Sequence, residues 1–183
     1  MRLHLCGLKL QGFSKEQLIK YTAKNPFERF EDGRPKIPDE YLNALKSASS
    51  EMLFGPLRRA GYHNQWEAGW KIVHPELKLI GRALTAQFMP GRPDLLETIE
   101  ADALAAGMGK NKNQRVIDLL QPGDVLVVDL FGKIEGGTFA GDNLTAAIVA
   151  KSGNGFVIEG AIRDLDGVYQ QNKPITTVRL KVE

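Results

Sequence analysis

The stretch that most constrains the fold is residues 122–167, PGDVLVVDLFGKIEGGTFAGDNLTAAIVAKSGNGFVIEGAIRDLDG. After the turn signal Pro122-Gly123-Asp124 comes a continuous apolar run, Val125, Leu126, Val127 and Val128. Such a run suits a strand buried on both faces. Phe156, Val157 and Ile158 form a second run, entered from Gly153-Asn154-Gly155. Between them Leu144, Ala147 and Ile148 recur with helical spacing. Asp142 or Asn143 is placed to cap the start of that helix, and Lys151 and Gly153 to stop it. Strand, helix and strand in this order predict a βαβ crossover between parallel strands.

Loops that follow parallel strands leave the sheet at the same edge, and in open α/β sheets ligands bind there. The loops GGTFAGDN and AIRDLDG, distant in sequence, are therefore expected to face each other. The first ends at a helix N-terminus, whose free N–H groups and partial positive charge suit an anion. The second brings Arg163, a bidentate binder of carboxylates, with Asp164 and Asp166, hard oxygen ligands for Mg2+. An Arg-Asp pair after a strand is, taken alone, usually a solvated loop ion pair. It is the expected convergence on one rim that points to a pocket for a small oxo-acid beside a hard metal.

GDVLVVD, the glycine-rich loop before DNL, and VIEGAIRDLDG together resemble the RraA-like superfamily, and LIGRALTAQF upstream resembles its Gly-x-Ala-x-Thr strand. The resemblance covers residues 77–168. That superfamily holds both the regulator of ribonuclease activity A and metal-dependent aldolases acting on 4-hydroxy-4-methyl-2-oxoglutarate or 4-carboxy-4-hydroxy-2-oxoadipate. It implies an α/β fold with a mainly parallel, layered βαβ sheet, like the swivelling phosphohistidine domain. A helical N-terminal segment (1–76) would precede the core (77–183).

For function, the resemblance implies a lyase that needs Mg2+ or Mn2+ and forms no Schiff base. It would release pyruvate from a 4-hydroxy-2-oxo acid or decarboxylate oxaloacetate. By position, Arg163 would contact the pyruvyl oxygens and stabilise the enolate. Asp164 would hold the metal, and Asp142 would orient metal-bound water. The backbone amides of Gly141, Asp142, Asn143 and Leu144 would bind the substrate carboxylate. The physical need agrees, because breaking a carbon–carbon bond beside a ketone leaves an enolate that needs a cation and a Lewis acid already in place. The other activity implied is a non-catalytic regulator that binds a ribonuclease. A homotrimer or hexamer with sites between subunits is the implied assembly. Chains of the family continue past the Arg-Asp motif, whereas the tail NKPITTVRLKVE does not match, so a shortened or divergent C-terminal part is expected.

The rest of the sequence narrows the classes. With 183 residues, one domain is the prior, and 43% hydrophobic with 25% charged residues argues against disorder. A net charge of +2 and no arginine-rich run interleaved with aromatics give no case for nucleic acid. No apolar run approaches the ~20 residues of a membrane span. The single cysteine, Cys6, excludes an internal disulfide and suits a reducing, cytoplasmic location. The apolar, basic start reads as a strand or the remnant of a leader, since no cleavage site follows.

Helices are expected over 14–24, with Ser14 and Gln17 spaced as a capping box, over 38–48, and over 49–60 with a break at Gly55-Pro56. Residues 62–70, YHNQWEAGW, read as a loop anchored by its aromatics, with a lid or subunit contact as the sharper alternative. A strand over 79–88 and a helix over 94–106 follow, then a flexible basic loop over 107–113 and a short helical turn or extended link over 115–120. His63 and His74 have no metal spacing and read as structural, as do Glu135 and Glu159.

Overall fold

In the computed structural model the described residues are 13–109, 112–132 and 138–180. Cys6, Glu135 and the apolar start lie outside them. Three short helices come first: α1 (Lys15–Tyr21), α2 (Asp39–Leu45) and α3 (Ser50–Arg59). They are followed by β1 (Lys71–Ile72), β2 (Arg82–Gln87), α4 (Pro93–Ala105) and α5 (Lys112–Ile117). The remainder is β3 (Asp124–Asp129), β4 (Thr138–Ala140), α6 (Asp142–Ser152), β5 (Phe156–Ile162), α7 (Leu165–Gln170) and β6 (Ile175–Leu180).

The fold is α/β, as expected. The sheet order is β1-β6-β5-β3-β2, with β2, β3, β5 and β6 mutually parallel and only β1 antiparallel. The two apolar runs pair in register, Leu126 with Phe156 and Val128 with Ile158. Helices close over these residues: Ile117 of α5, Ile148 of α6 and Val168 of α7 are fully buried in one cluster with Leu126, Phe156, Ile158 and Ile175. Burial of each such side chain contributes roughly 1.5–3 kcal/mol. α6 stops where Gly153 takes the left-handed conformation at φ 69°, open to glycine without a Cβ penalty.

One strand was not legible. Part of the glycine-rich loop is β4, which pairs in parallel with the far end of β5, Thr138 with Ala161 and Ala140 with Ile162. β3 stops opposite Glu159, so β4 takes over the edge of β5 that β3 leaves. The unmatched tail also has a place, since Ile175, Thr176 and Thr177 of β6 extend the parallel sheet from β5.

Other expectations are corrected. α3 runs through Gly55-Pro56 without a break. The helix has no buried residues, so the carbonyl deprived of the proline N–H can be solvated. The aromatic anchoring expected over 62–70 is confined to the half-buried Trp70, since Tyr62 and Trp66 are 61% and 63% exposed. Their neighbour α3 offers them no core, its own Met52 and Phe54 being exposed as well. The helical turn expected from residue 115 is present as α5, but it starts earlier, at Lys112, inside the run read as a loop.

The N-terminal helices bury no residue of their own, and α1 keeps the Ser14–Gln17 capping box. Polar anchors hold this part of the chain at the amino edge of the sheet. Asp124, fully buried at the start of β3, meets Arg34 at 3.1 Å. Arg82, at the start of β2, donates to the carbonyls of Ile37 and Pro122 at 2.7 and 2.6 Å. Both guanidiniums lie over the Phe30 ring. Since the strands are parallel, this whole junction sits at the edge opposite the loops that follow β3 and β5.

Candidate active-site cleft

β4 leads through Gly141 directly into α6, and β5 leads through Arg163 and Asp164 directly into α7. The two connections touch. The Arg163 amide donates to the Ala140 carbonyl at 3.1 Å, which carries the β4–β5 ladder into the loops. Gly141 sits beneath the Asp164 carboxylate so closely that any Cβ there would overlap Oδ2. A Cβ on Gly167 would lie 2.6 Å from that of Asp142. Two glycines thus allow the tips to meet.

Between the tips is an open cleft of about 260 Å³. Gly141, Asp142, Asn143, Leu144, Arg163 and Asp164 all line it, so these candidate residues come together on one rim, without Asp166. Arg163 Nε lies 3.4 Å from Asp164 Oδ2, with the two side chains 55% and 47% exposed. A pair this exposed contributes little to stability. The contact uses Nε and leaves the terminal guanidinium nitrogens for a ligand.

Details of the tip differ from expectation. Neither Asp142 nor Asn143 caps α6; Gly141 is the N-cap and makes no side-chain bond. Helical geometry begins at Asp142 itself, whose Oδ1 accepts from the Asn143 amide at 2.6 Å. Gly141 accepts instead, from the Thr145 amide at 3.0 Å and from its hydroxyl at 2.7 Å. Nor is the segment after Arg163 a loop through Asp166. Asp164 is the left-handed N-cap of α7 at φ 55°, and Asp166 is an exposed first-turn residue that does not line the cleft.

The partial positive charge of α6 and the Arg163 guanidinium bring positive potential to a cleft that Asp142 and Asp164 also line. Among the described residues no group of three or more His, Cys, Asp or Glu side chains converges as a metal cage. The cleft offers instead the carboxylates of Asp164 and Asp142. That donor set fits Mg2+, which typically keeps several waters and takes one or two carboxylates plus substrate oxygens.

Sequence reasoning missed Asn113, which enters the cleft from α5, and the β4 residues beneath it. Asn113 lay in a run read as a flexible basic loop, where nothing local distinguishes it. His74 is structural as expected: buried, its ring stacked 4.3 Å from that of Tyr169, with Nε2 donating to the Tyr169 carbonyl at 2.8 Å and Nδ1 3.0 Å from Glu76. His63 is exposed.

The family profile described as RraA-like, Aldolase/RraA, matches residues 37–182. The chain belongs to this RraA-like family. The match starts well before residue 77 and includes the tail through residue 182, so the C-terminal residues that had found no counterpart lie within the family's extent. Among solved structures, the chain is similar to RraAS2 of Streptomyces coelicolor, described as an unusual member of the RNase ES inhibitor RraA protein family. Identity is 31% over 80% of this chain and 66% of that one, with a TM-score of 0.62. An uncharacterised protein from Pseudomonas syringae pv. tomato shares the fold at 23% identity, over 86% of this chain and 62% of that one, TM-score 0.62. This RraA-like chain therefore spans about two thirds of the length of these relatives. No curated protein matches it. The family includes both aldolases and ribonuclease inhibitors. Among the described residues no helix is long and apolar enough to cross a membrane.

Proposed function

We propose that this RraA-like protein is a Mg2+- or Mn2+-dependent lyase that forms pyruvate. Its substrate would be a 4-hydroxy-2-oxo acid of the 4-hydroxy-4-methyl-2-oxoglutarate kind or oxaloacetate. The observation that carries this reading is the meeting of the α6 tip, Arg163 and Asp164 around one small open cleft. The first-turn amides of α6 bind the substrate carboxylate, and Arg163 binds the neighbouring ketone oxygen. As the carbon–carbon bond breaks, its electron pair moves onto that oxygen, and the fixed guanidinium stabilises the enolate. With a 4-hydroxy-2-oxo acid, Asp142 takes the 4-hydroxyl proton through a water as that carbon leaves as the carbonyl of a second product. With oxaloacetate the fragment that leaves is CO2. In both, a proton returned to carbon completes pyruvate. A divalent ion held by Asp164 would supply Lewis-acid stabilisation of the same developing charge.

The test is pyruvate release from oxaloacetate and from 4-hydroxy-4-methyl-2-oxoglutarate, with Mg2+ or Mn2+ present. Turnover is expected to disappear with EDTA and in Asp164→Ala. No turnover with either substrate, or equal turnover in that variant, would remove the proposal.

A second reading, a regulator that binds a ribonuclease, is favoured by the likeness to RraAS2. It predicts inhibition of a ribonuclease that survives both EDTA and Asp164→Ala. A homotrimer or hexamer in the cytoplasm is proposed on the family resemblance, and analytical ultracentrifugation decides the former.

A further inference from the structure

We propose that Asn113 is a positioning residue for the anion-binding tip of α6, its side-chain amide holding the outer edge of β4 and so fixing where the amides of residues 141–144 sit. This deepens the lyase reading of the same cleft and rests on it.

β4 has three residues, and among the described residues the one strand it pairs with is β5. Its last carbonyl, that of Ala140, faces that side and accepts from Arg163 at 3.1 Å. Carbonyls alternate along a strand, so the Phe139 carbonyl turns the other way. β4 continues the lane of β3, so β2 would be the natural neighbour there, but its pairing ends at Gln87, opposite Asp129. Asn113 fills that role: its Nδ2 donates to the Phe139 carbonyl at 2.7 Å across 26 positions of sequence.

So short a strand with one strand partner is weakly held, and a bond on the second edge restrains it. The restraint is at a sensitive place. Phe139 lies two residues before the Gly141 N-cap, and any drift of β4 carries the first turn of α6 with it. Asn113 also lines the cleft, so its hold is exerted at the ligand site itself. The chemistry is specific to the amide. Aspartate has the same shape, but ionised it has only acceptors and cannot donate to a carbonyl.

Two measurements test this. Amide shifts and line shapes of residues 139–144 are followed by 15N NMR in the free protein. Oxalate, a planar dianion resembling enolpyruvate, is titrated calorimetrically with Mg2+ present. Asn113→Asp and Asn113→Ala are expected to move or broaden those amide signals and to weaken oxalate about tenfold, the worth of one hydrogen bond. Core signals from Leu126 and Ile158 should stay in place. Asn113→Gln, which keeps the donor, should recover most of the affinity. Wild-type amide spectra in Asn113→Asp, or loss in Asn113→Gln as large as in Asn113→Asp, would overturn the assignment. If the wild-type protein binds no oxalate, the lyase reading of the cleft fails, while the spectra still decide the role of Asn113.

Discussion

Gly141→Ala separates the site from the fold. The glycine has φ −109° and ψ −159°, which alanine adopts without strain, so the backbone has no reason to change. The new methyl group is the whole perturbation. It would overlap Oδ2 of Asp164 and lie 3.1 Å from its Cγ and 3.2 Å from Cγ of Arg163, where ordinary contacts lie at 3.4–4 Å. The carboxylate must therefore move by on the order of 1 Å, and a displacement of that size at a reacting centre costs roughly 100-fold. Relief is inexpensive because the Asp164 side chain is 47% exposed and can swing into solvent. Replacing glycine at a compatible position also restricts the unfolded chain, worth about 0.4–1 kcal/mol in favour of the native state. The expected outcome is a fall of about 100-fold in kcat/KM for oxaloacetate decarboxylation, with a melting temperature within roughly 4 °C of wild type. The assay couples pyruvate to lactate dehydrogenase at several Mg2+ concentrations, with a melt of the same sample. Unchanged kcat/KM at an unchanged melting temperature would show that the Asp164 carboxylate has no part in turnover. Loss of both would show that Gly141 is needed for folding.

Two further outcomes follow from other parts of the molecule. Arg34→Ala removes one partner of the fully buried Asp124 carboxylate. Breaking such a pair costs about 3 kcal/mol, read as a fall in melting temperature of roughly 10 °C; activity below the transition should persist, because the pair is at the amino edge of the sheet. At the start of α4, the Arg92 side chain bonded to Asp94 holds that carboxyl below the ordinary aspartate range, with Nε 2.8 Å from Oδ1. The folded pKa is the lower one, so the pair's contribution is present above the unfolded value and fades as pH falls through the folded one. A 13C titration should place the Asp94 midpoint below that of an unfolded aspartate, and Arg92→Ala should return it.

The site was legible wherever the information was local. The runs 125–128 and 156–158 could bury their side chains only inside a sheet, and Gly153 could stop α6 because its conformation at φ 69° suits glycine. Parallel order then forced the loops after β3 and β5 to one rim, which is why Arg163, Asp164 and residues 141–144 could be grouped without coordinates. Capping of α6 was misread because Asp142 and Asn143 are both good caps by type. The choice of Gly141 depended on the nearness of Asp164, which no local pattern carries.

By itself, then, the amino-acid order determined the α/β class, the crossover and the rim on which charge collects, since periodicity and turn chemistry act between near neighbours. Tertiary structure alone decided that Thr138–Ala140 becomes a strand, that Asn113 reaches Phe139 from 26 positions away, and that Arg34 finds Asp124 across 90. Each of these depends on where another strand happens to stop or a carboxylate happens to be buried. Such contacts form only once the sheet has brought distant segments within a hydrogen bond of one another.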